Sequence, residues 1–330
     1  MEHHYMWSWP VIGYLFVAGF GAGAMAISAL VCMQGEEGTF GKRYFNIARY
    51  GAWIAPLPLI GGTGLLIFEL GRPFRAFNIM ASNFWYEVIN PSPMNFGGWF
   101  LLIVGGISVV YAATFVRWKS LLPGALGEKA DELMDSLRMP LAGISVPLAI
   151  ATAIYTAILL GAIPSRPLWN SPVLWALFTV SAFSTGTAAI MLVNRLSYRS
   201  NGDREADKLF HNSGYWLSLS DVMLIIMELI VIGLFIMMMY FSVQNARFAV
   251  QVLLPGGEMA SVFWIGVVLI GLVIPLVVEA FYVARKALGG GEFHVPYVVE
   301  LAAPAAVLFG GLALRYAIVI GGQITGPIGV

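Results

Sequence analysis

The sequence predicts an all-α integral membrane protein with eight transmembrane helices and with both termini on the outer side of the membrane. Hydrophobic residues make up 59% of the chain and charged residues only 11%, whereas a soluble domain carries about 25% charged residues. Apolar runs long enough to cross a bilayer follow one another along all 330 residues. The basic residues gather on alternate loops, as they do in proteins that cross a membrane many times.

Eight segments contain the roughly 20 mostly apolar residues that a helix needs to cross the hydrocarbon layer. In chain order these predicted spans are residues 10–33, 51–70, 95–117, 140–161, 172–195, 217–241, 260–285 and 297–321. The sequence shows no fixed-period repeat and no low-complexity linker between them. We therefore interpret residues 1–330 as a single polytopic membrane domain, whose first apolar run stays as a helix.

The distribution of Lys and Arg predicts the orientation, because basic residues in short loops stay on the cytoplasmic side. Loops after the first, third, fifth and seventh predicted spans hold thirteen basic residues: Lys42, Arg43, Arg49, Arg117, Lys119, Lys129, Arg138, Arg195, Arg199, Arg204, Lys208, Arg285 and Lys286. The opposite side holds four, namely Arg72, Arg75, Arg166 and Arg247. This bias places both termini outside a prokaryotic cytoplasmic membrane.

Charge and cysteine content exclude several kinds of partner and cofactor. Equal numbers of basic and acidic side chains cancel, so no net field favours a nucleic acid. The single cysteine, Cys32, cannot form an intramolecular disulfide, and alone it cannot hold an iron–sulfur cluster or a thiolate zinc site. No transmembrane haem is expected either, because all the histidines lie outside the predicted spans: His3, His4, His211 and His294.

Two polar segments on the cytoplasmic side lie between predicted spans. Residues 126–137 place Leu126, Leu133 and Leu137 at helical spacing among charged residues. This pattern predicts a separate short amphipathic helix at the membrane surface. Residues 196–216 form the longest polar loop of the sequence, and neither segment contains a catalytic constellation.

The basic side chains on the outer side require an explanation, since that side is otherwise poor in positive charge. Arg72 and Arg75 follow the second predicted span, in the same loop as Glu87 and close to Glu69. They either form structural salt bridges with these acids or present cations to an anionic group or a partner protein. Arg166, after the fourth predicted span, is a third candidate for contact with a partner.

Two tyrosines lie deeper than the tryptophans at the outer ends of the predicted spans. Tyr14 is near the start of the first span and Tyr155 is near the end of the fourth. A phenol at either position can donate a hydrogen bond to a quinone carbonyl, or it can pack with its hydroxyl satisfied by the protein. The sequence leaves both alternatives open. The tryptophans Trp7, Trp9 and Trp169 are interpreted as residues of the interfacial aromatic belt.

Acidic residues in the last three predicted spans are candidates for proton transfer, and they are Asp221, Glu228, Glu279 and Glu300. Asp221 and Glu228 are seven residues apart and therefore share one face of a helix. Ionisable groups at this depth mark proton paths or pair structurally. Arg315, in the eighth span, is a candidate partner for a carboxylate such as Glu69. We predict a proton path through the four acids and Arg315, with Glu228 as its strongest member.

A set of short motifs follows a fixed order along the chain. They are residues 9–16 (WPVIGYLF), 70–73 (LGRP), 92–94 (SPM) with Gly97 and Trp99, 166–171 (RPLWNS), 184–188 (STGTA), 314–316 (LRY) and 321–323 (GGQ). Each motif is short, but their order and spacing make the chain resemble the membrane subunit of polysulfide reductase, the PsrC/NrfD family. The resemblance covers essentially all eight spans.

The resemblance implies a fold of two four-helix bundles embedded in membrane lipid. Members of the family exchange electrons between membrane quinone, menaquinone or ubiquinone, and a ferredoxin-like subunit with four 4Fe–4S clusters. That subunit commonly serves a molybdopterin catalytic subunit. The resemblance therefore implies a quinone-reactive subunit of a respiratory oxidoreductase, with substrate catalysis in a partner protein. The partner subunits lie on the outer, periplasmic face.

Carried over by motif, the quinone site uses Tyr14 and Tyr155 as its catalytic hydrogen-bond donors, with Glu69, Arg72 and Asn95 beside them. The outer arginines then face the iron–sulfur partner, and the chain itself holds no haem and no iron–sulfur cluster. The resemblance leaves open whether such complexes dimerise, which substrate the partner uses and in which direction the electrons flow.

Two other functions stay open at this point. One is a proton-translocating or structural subunit of a larger respiratory assembly of the alternative complex III type, which would purify with multihaem cytochromes. The other is a transporter or a purely structural anchor. Transporters often contain inverted repeats and helices broken at the midplane, and no such pairing is visible in this sequence.

Overall fold

The structure, a computed structural model, describes residues 7, 9–34, 39–69, 93–121, 124–198, 204–242, 244–289, 293 and 295–326. Only the backbone is described at residues 39–44, 68–69, 93–95, 205–206 and 244. Within these ranges the chain is helical, without a strand, and eight helices are long and apolar enough to cross a membrane. The predicted all-α membrane protein is therefore confirmed.

The spans follow the order of the predicted segments. Spans one to four are Trp9–Gln34, Thr39–Ile54 with Pro56–Glu69, Pro93–Ala113, and Ala125–Gly161. Spans five to eight are Pro172–Ser197, Arg204–Phe241, Val262–Val273 (a π-helix) with Ile274–Gly289, and Tyr297–Ile324. A 3₁₀ turn at Trp118–Ser120 and a short helix at Gln244–Gln251 lie between spans. Following the predicted orientation, we call the end at which the odd-numbered spans finish the inner end, and the opposite end the outer end.

Span two is kinked at a pair of prolines. Pro56 and Pro58 have no backbone N–H group, so the ladder of helical hydrogen bonds is interrupted beside Ala55. The N–H group of Leu59 still donates to the Ala55 carbonyl at 3.2 Å. The two halves therefore continue as one bent span, whose helix is described as far as Glu69.

Residues 126–137 are helical, as predicted, but they do not form a separate surface helix, because residues 125–139 are the first turns of span four. The 37 residues of this span form one helix. Its length is about 55 Å, well beyond the roughly 30 Å of the hydrocarbon layer. Most of the added residues are good helix formers, so the helix continues past the apolar stretch. Asp131 fixes this extension by accepting hydrogen bonds from the backbone N–H groups of Trp118 at 2.6 Å and Lys119 at 3.3 Å.

The polar loop predicted at residues 196–216 is shorter than expected. Span five continues to Ser197, and span six begins at Arg204, because the polar residues next to the apolar stretches also adopt the helix. His211, which the sequence placed outside the spans, therefore lies on the inner extension of span six. The other histidines lie outside the described residues, and they are His3, His4 and His294.

The spans contact one another as two rings of four. Span one packs against spans two and four, and span three closes this first ring by contacting the same two spans. Span five packs against spans six and eight, and span seven closes the second ring in the same way. The rings meet mainly where span one lies against span five. This pattern agrees with the two four-helix bundles that the resemblance implies.

Glycine pairs allow the closest contacts between spans. Where spans one and five cross, a Cβ on Gly186 would overlap the backbone of Gly23. Where spans seven and eight cross, a Cβ on Gly271 would overlap the Cα of Gly310. Small residues at such crossings let helix backbones touch, which favours association in lipid through dispersion contacts.

Candidate functional site

A buried phenol lies in the outer half of the first ring. Tyr14 of span one has no exposed surface, and its hydroxyl makes no hydrogen bond with any residue that the structure describes. Tyr14 packs against Gly62 of span two, where a Cβ would lie 3.4 Å from Cδ2 of Tyr14. A buried polar group without a partner costs about 1–3 kcal/mol. The Tyr14 hydroxyl is therefore a candidate donor to a bound ligand.

A second phenol, from span four, lies in the same buried cluster as Tyr14. Tyr155 is 5% exposed, and its ring centroid lies 6.3 Å from that of Phe100 in span three. Its hydroxyl lies against Gly97 of span three, where any Cβ would overlap it. The structure thus brings together the two tyrosines that the sequence singled out.

Two of the other predicted quinone-site residues, Glu69 and Asn95, lie at the same end of the first ring. Glu69 is the last residue of span two and Asn95 is in the first turn of span three. The side chains of both lie outside the described residues, as do Arg72 and Arg75. Their roles beside a quinone or a partner stay predictions, and so does the pairing of Arg315 with Glu69.

Arg166, which the sequence placed toward a partner, binds the carboxyl end of span eight. Its Nη1 donates to the carbonyls of Gly322 at 3.2 Å and Gln323 at 2.5 Å. Its guanidinium carbon lies 5.9 Å from the ring centroid of Trp169. A cation at the carboxyl end of a helix interacts favourably with the helix dipole. Arg166 therefore has a structural role, and its contact with a partner stays a prediction.

Trp169 is not a residue of the interfacial belt, and that interpretation is wrong for it. The side chain is fully buried, stacks on Trp7 with ring centroids 4.9 Å apart, and donates from Nε1 to the Ile318 carbonyl at 2.9 Å. The Gln323 side chain holds Trp7 by two 3.0 Å hydrogen bonds to its backbone. Trp169 is buried because the loop after span four folds inward over span eight. Trp9, by contrast, is 64% exposed.

Ionisable side chains are buried in the middle of the second ring. Asp221 of span six has no exposed surface, and its Oδ1 accepts a hydrogen bond from Ser184 of span five at 3.1 Å. Glu228, two turns further outward, is 2% exposed and lies near Ser181 of span five and Arg315 of span eight. Both acids therefore face span five, which agrees with their seven-residue spacing.

Arg315 of span eight joins the two rings. It is fully buried; its Nη1 donates to the hydroxyl of Ser181 and to the carbonyl of Gly311 at 3.0 Å. Its Nη2 donates to the carbonyl of Phe178 at 3.4 Å. The guanidinium also lies against Gly19 of span one, where a Cβ would be 3.4 Å from Nη2. The buried polar groups of the second ring thus extend to the span that carries the buried phenol.

The remaining predicted acids lie at the inner end of the second ring. Glu279 of span seven is 4% exposed. Glu300 of span eight pairs with Arg195 of span five, with 2.7 Å between Oε2 and Nε. Both acids line one cavity, together with Asn194 and Arg195. From the inner end outward, the polar side chains therefore form a series across all four spans of this ring.

Several residues of this series have no role that the sequence patterns had indicated. Ser184 belongs to the STGTA motif, and Ser181 lies three residues earlier on the same helix face, so this spacing was a usable signal. In the sequence, Arg195 counted only as one of the basic residues that predict the orientation. Its pairing with Glu300, 105 positions later, has no local signal in the sequence.

The described spans and side chains define a class of protein: a multi-pass helical membrane protein with two buried phenols in one ring and a series of buried ionisable groups in the other. Comparison with known proteins gives the family. The family model described as polysulphide reductase, NrfD, matches residues 1–327. The chain belongs to this family, and the resemblance seen in its motifs is confirmed.

Named relatives match over most of their length. A polysulfide reductase protein from Wolinella succinogenes is 32% identical over 322 residues, which cover 96% of the present sequence and 94% of that relative. Protein NrfD from Escherichia coli is 26% identical over 324 residues, covering 97% and 96%. One of the selenate reductase subunits from Mesobacillus selenatarsenatis is 22% identical over 348 residues, covering 94% and 76%.

Proposed function

We propose that this protein is the quinone-reactive membrane subunit of a respiratory oxidoreductase complex. It exchanges electrons between menaquinone or ubiquinone and a ferredoxin-like subunit with four 4Fe–4S clusters, which serves a molybdopterin catalytic subunit. One observation carries the proposal: the buried Tyr14 hydroxyl, beside Tyr155, has no hydrogen-bond partner among the described residues. Relatives named as parts of polysulfide reductase and selenate reductase support it.

The residues of the first ring fit the binding of a quinone headgroup. Quinone, when bound, supplies the exchange of two electrons and two protons. Tyr14 and Tyr155 donate hydrogen bonds to its carbonyl oxygens and orient it, with Glu69, Arg72 and Asn95 beside it. The apolar walls of the ring exclude water from this position. The protein binds and orients, while substrate chemistry takes place in a partner protein.

The partner subunits dock on the outer face of a prokaryotic cytoplasmic membrane. Arg72 and Arg75 present cations there, on a side that is otherwise poor in positive charge. Arg166 adds a third cation at this end, where its contacts with span eight also hold the surface in place. Electrons cross between the clusters of the partner and a quinone in the outer half of the first ring.

Protons reach the quinone through the second ring. The described part of the protein buries three carboxyl groups, Asp221, Glu228 and Glu279, with one guanidinium, Arg315. An uncompensated charge in a low-dielectric interior is strongly unfavourable, so at least two of these carboxyl groups hold a proton or a cation. Their order from Glu279 outward to Glu228 supports a path from the inner side toward the first ring.

Tyr14→Phe tests the proposal, because it removes the hydroxyl and keeps the ring. We expect about a fivefold loss of quinone-dependent turnover, because a net hydrogen bond contributes about 1 kcal/mol and 1.4 kcal/mol is a factor of ten. The measurement is steady-state oxidation of a quinol analogue by the purified complex. Unchanged kcat and KM would contradict the assigned role.

Tyr111→Phe is the matched control. Tyr111 is also a fully buried phenol of the first ring, but it lies toward the inner end, and its hydroxyl is 3.1 Å from that of Ser28. We expect this variant to keep its quinone turnover. Similar losses in both variants would point to general damage of the first ring rather than to a hydrogen bond from Tyr14.

The series of buried acids also favours a second candidate function. It suits a proton-translocating subunit of a larger respiratory assembly of the alternative complex III type. Purification of the tagged protein in gentle detergent distinguishes this function from the main proposal. Iron–sulfur and molybdopterin subunits among the co-purifying proteins support the main proposal, whereas multihaem cytochromes support the second.

A further inference from the structure

A cavity of about 40 Å³ lies at the inner end of the second ring, between spans five, six, seven and eight. One water molecule needs roughly 10–15 Å³ of such space, so about three or four fit. Polar and charged side chains contribute to its wall, and they include Asn194, Arg195, Ser218, Glu279 and Glu300. A cavity of this size with several polar partners suits ordered water.

Glu279 reaches the cavity from span seven with both carboxylate oxygens available. The side chain is 4% exposed, and neither oxygen has a hydrogen-bond partner among the described residues. A buried carboxyl group in this setting requires a proton, water or a cation. Glu279 also lies close enough to Asp221 of span six to interact with it electrostatically. The cavity therefore meets the series of buried acids at Glu279.

Glu300 lines the same cavity, but a partner compensates its charge. Its Oε2 lies 2.7 Å from Nε of Arg195, and the Arg195 guanidinium carbon lies 4.7 Å from the ring centroid of Tyr297. The ion pair is partly exposed and stands at the rim of the cavity. The charged groups that face Glu279 from the neighbouring spans are thus Asp221 and this neutral pair.

We propose that this cavity is a water site through which Glu279 exchanges protons with the inner aqueous phase. The inference rests on the proposed function, which needs protons inside the second ring, and it names their point of entry. A hydronium ion in the cavity transfers one proton to the Glu279 carboxylate and leaves a water molecule. The Arg195–Glu300 pair holds the rim and takes no part in the transfer.

Chemical modification of Glu279 tests this in membrane vesicles that contain the full-length protein. Dicyclohexylcarbodiimide reacts with protonated carboxyl groups, and mass spectrometry of the peptide measures the modified fraction. Acidifying the medium on the inner side should accelerate the modification several-fold, and acidifying the outer side alone should not. Absence of modification at every pH, or acceleration from the outer side alone, overturns the proposal.

Three variants show whether the modified peptide reports on Glu279, and whether Glu279 or Glu300 takes up the proton first. Glu279→Gln should abolish the modification at this peptide. Arg195→Lys keeps an ion pair with Glu300 and should leave the rate at Glu279 within about twofold. Glu300→Gln should leave Glu279 reactive to inner protons. If Glu300→Gln, present in the membrane at the normal amount, abolishes the response of Glu279, then Glu300 is the entry group and the proposal fails.

Sodium ions distinguish protons from metal cations as the occupant. At constant pH, added NaCl should leave the modification of Glu279 unchanged, with choline chloride as the ionic-strength control. Protection by Na⁺ identifies a metal-cation site and overturns the assignment to protons. None of these measurements uses quinone. A Tyr14→Phe variant with normal turnover would therefore remove the quinone proposal, and the response of Glu279 to inner protons would still stand.

Discussion

At the scale of single residues, neighbours decide what a side chain can do. In the sequence, Tyr14 and Tyr155 are two tyrosines near the outer ends of different spans, whereas the structure buries them in one cluster. Arg315 was a candidate partner for Glu69, yet its described contacts are with Ser181 and two carbonyls of the second ring. The residue types were evident from the sequence, but their contacts were not.

Gly97→Ala tests the contact between span three and Tyr155. The added Cβ would overlap the Tyr155 hydroxyl, so the phenol must move or the two spans must separate. Overpacking of this kind destabilises by about 1–3 kcal/mol. We expect a lower temperature of unfolding in detergent and a higher KM for quinol, measured by scanning fluorimetry and by steady-state turnover.

Gly106→Ala, in the same span, is the control for this prediction. A Cβ at Gly106 meets no atom within 4 Å, and Ala is a better helix former than Gly. The control should therefore unfold at the parent temperature or slightly above it. Equal losses in the two variants would mean that contact with Tyr155 is not what makes Gly97 sensitive.

At the scale of helices, apolar length identifies the spans but not where they end. Span four begins at Ala125 rather than near residue 140, and span six begins at Arg204 rather than near residue 217. Hydropathy marks only the part of a helix that contacts lipid, because polar helix formers continue the same hydrogen-bond ladder into water. The kink of span two, by contrast, could be predicted from Pro56 and Pro58.

Gly186→Ala tests the crossing that joins the rings. The added Cβ would overlap the backbone of Gly23, which cannot rotate away as a side chain can. We expect spans one and five to separate locally and the unfolding temperature to fall, with a cost at the upper end of the roughly 1–3 kcal/mol typical of overpacking. Gly233→Ala in span six, where a Cβ meets nothing within 4 Å, should unfold like the parent. Identical unfolding curves for the two variants would rule out a tight crossing of spans one and five at Gly186.

At the scale of the whole molecule, the two rings divide the chemistry in the proposed function. In that proposal, the phenols of the first ring orient quinone and the acids of the second ring supply its protons. Arg315 lies where the rings meet, since its guanidinium contacts Ser181 of span five and lies against Gly19 of span one.

Glu228→Gln tests the division between the rings. The amide keeps the size of the side chain but cannot take up and release a proton in the same way. We expect less charge translocated per electron, measured as the pH change and membrane potential of vesicles that contain the reconstituted complex. Glu132→Gln, at an exposed acid on the inner extension of span four, is the control. If Glu228→Gln leaves the charge translocated per electron unchanged, a proton path through this residue is excluded.

The sequence by itself determined the class of membrane protein, the number and order of the spans, and the family, because apolar length and short motifs are local properties of the polypeptide. It also singled out Tyr14, Tyr155 and the buried acids, since an ionisable or phenolic group within a span is conspicuous. Only the tertiary structure decided which groups meet. The pairing of Arg195 with Glu300 and the contact of Gly97 with Tyr155 depend on how packed helices rotate and cross, and no periodicity within one helix specifies that.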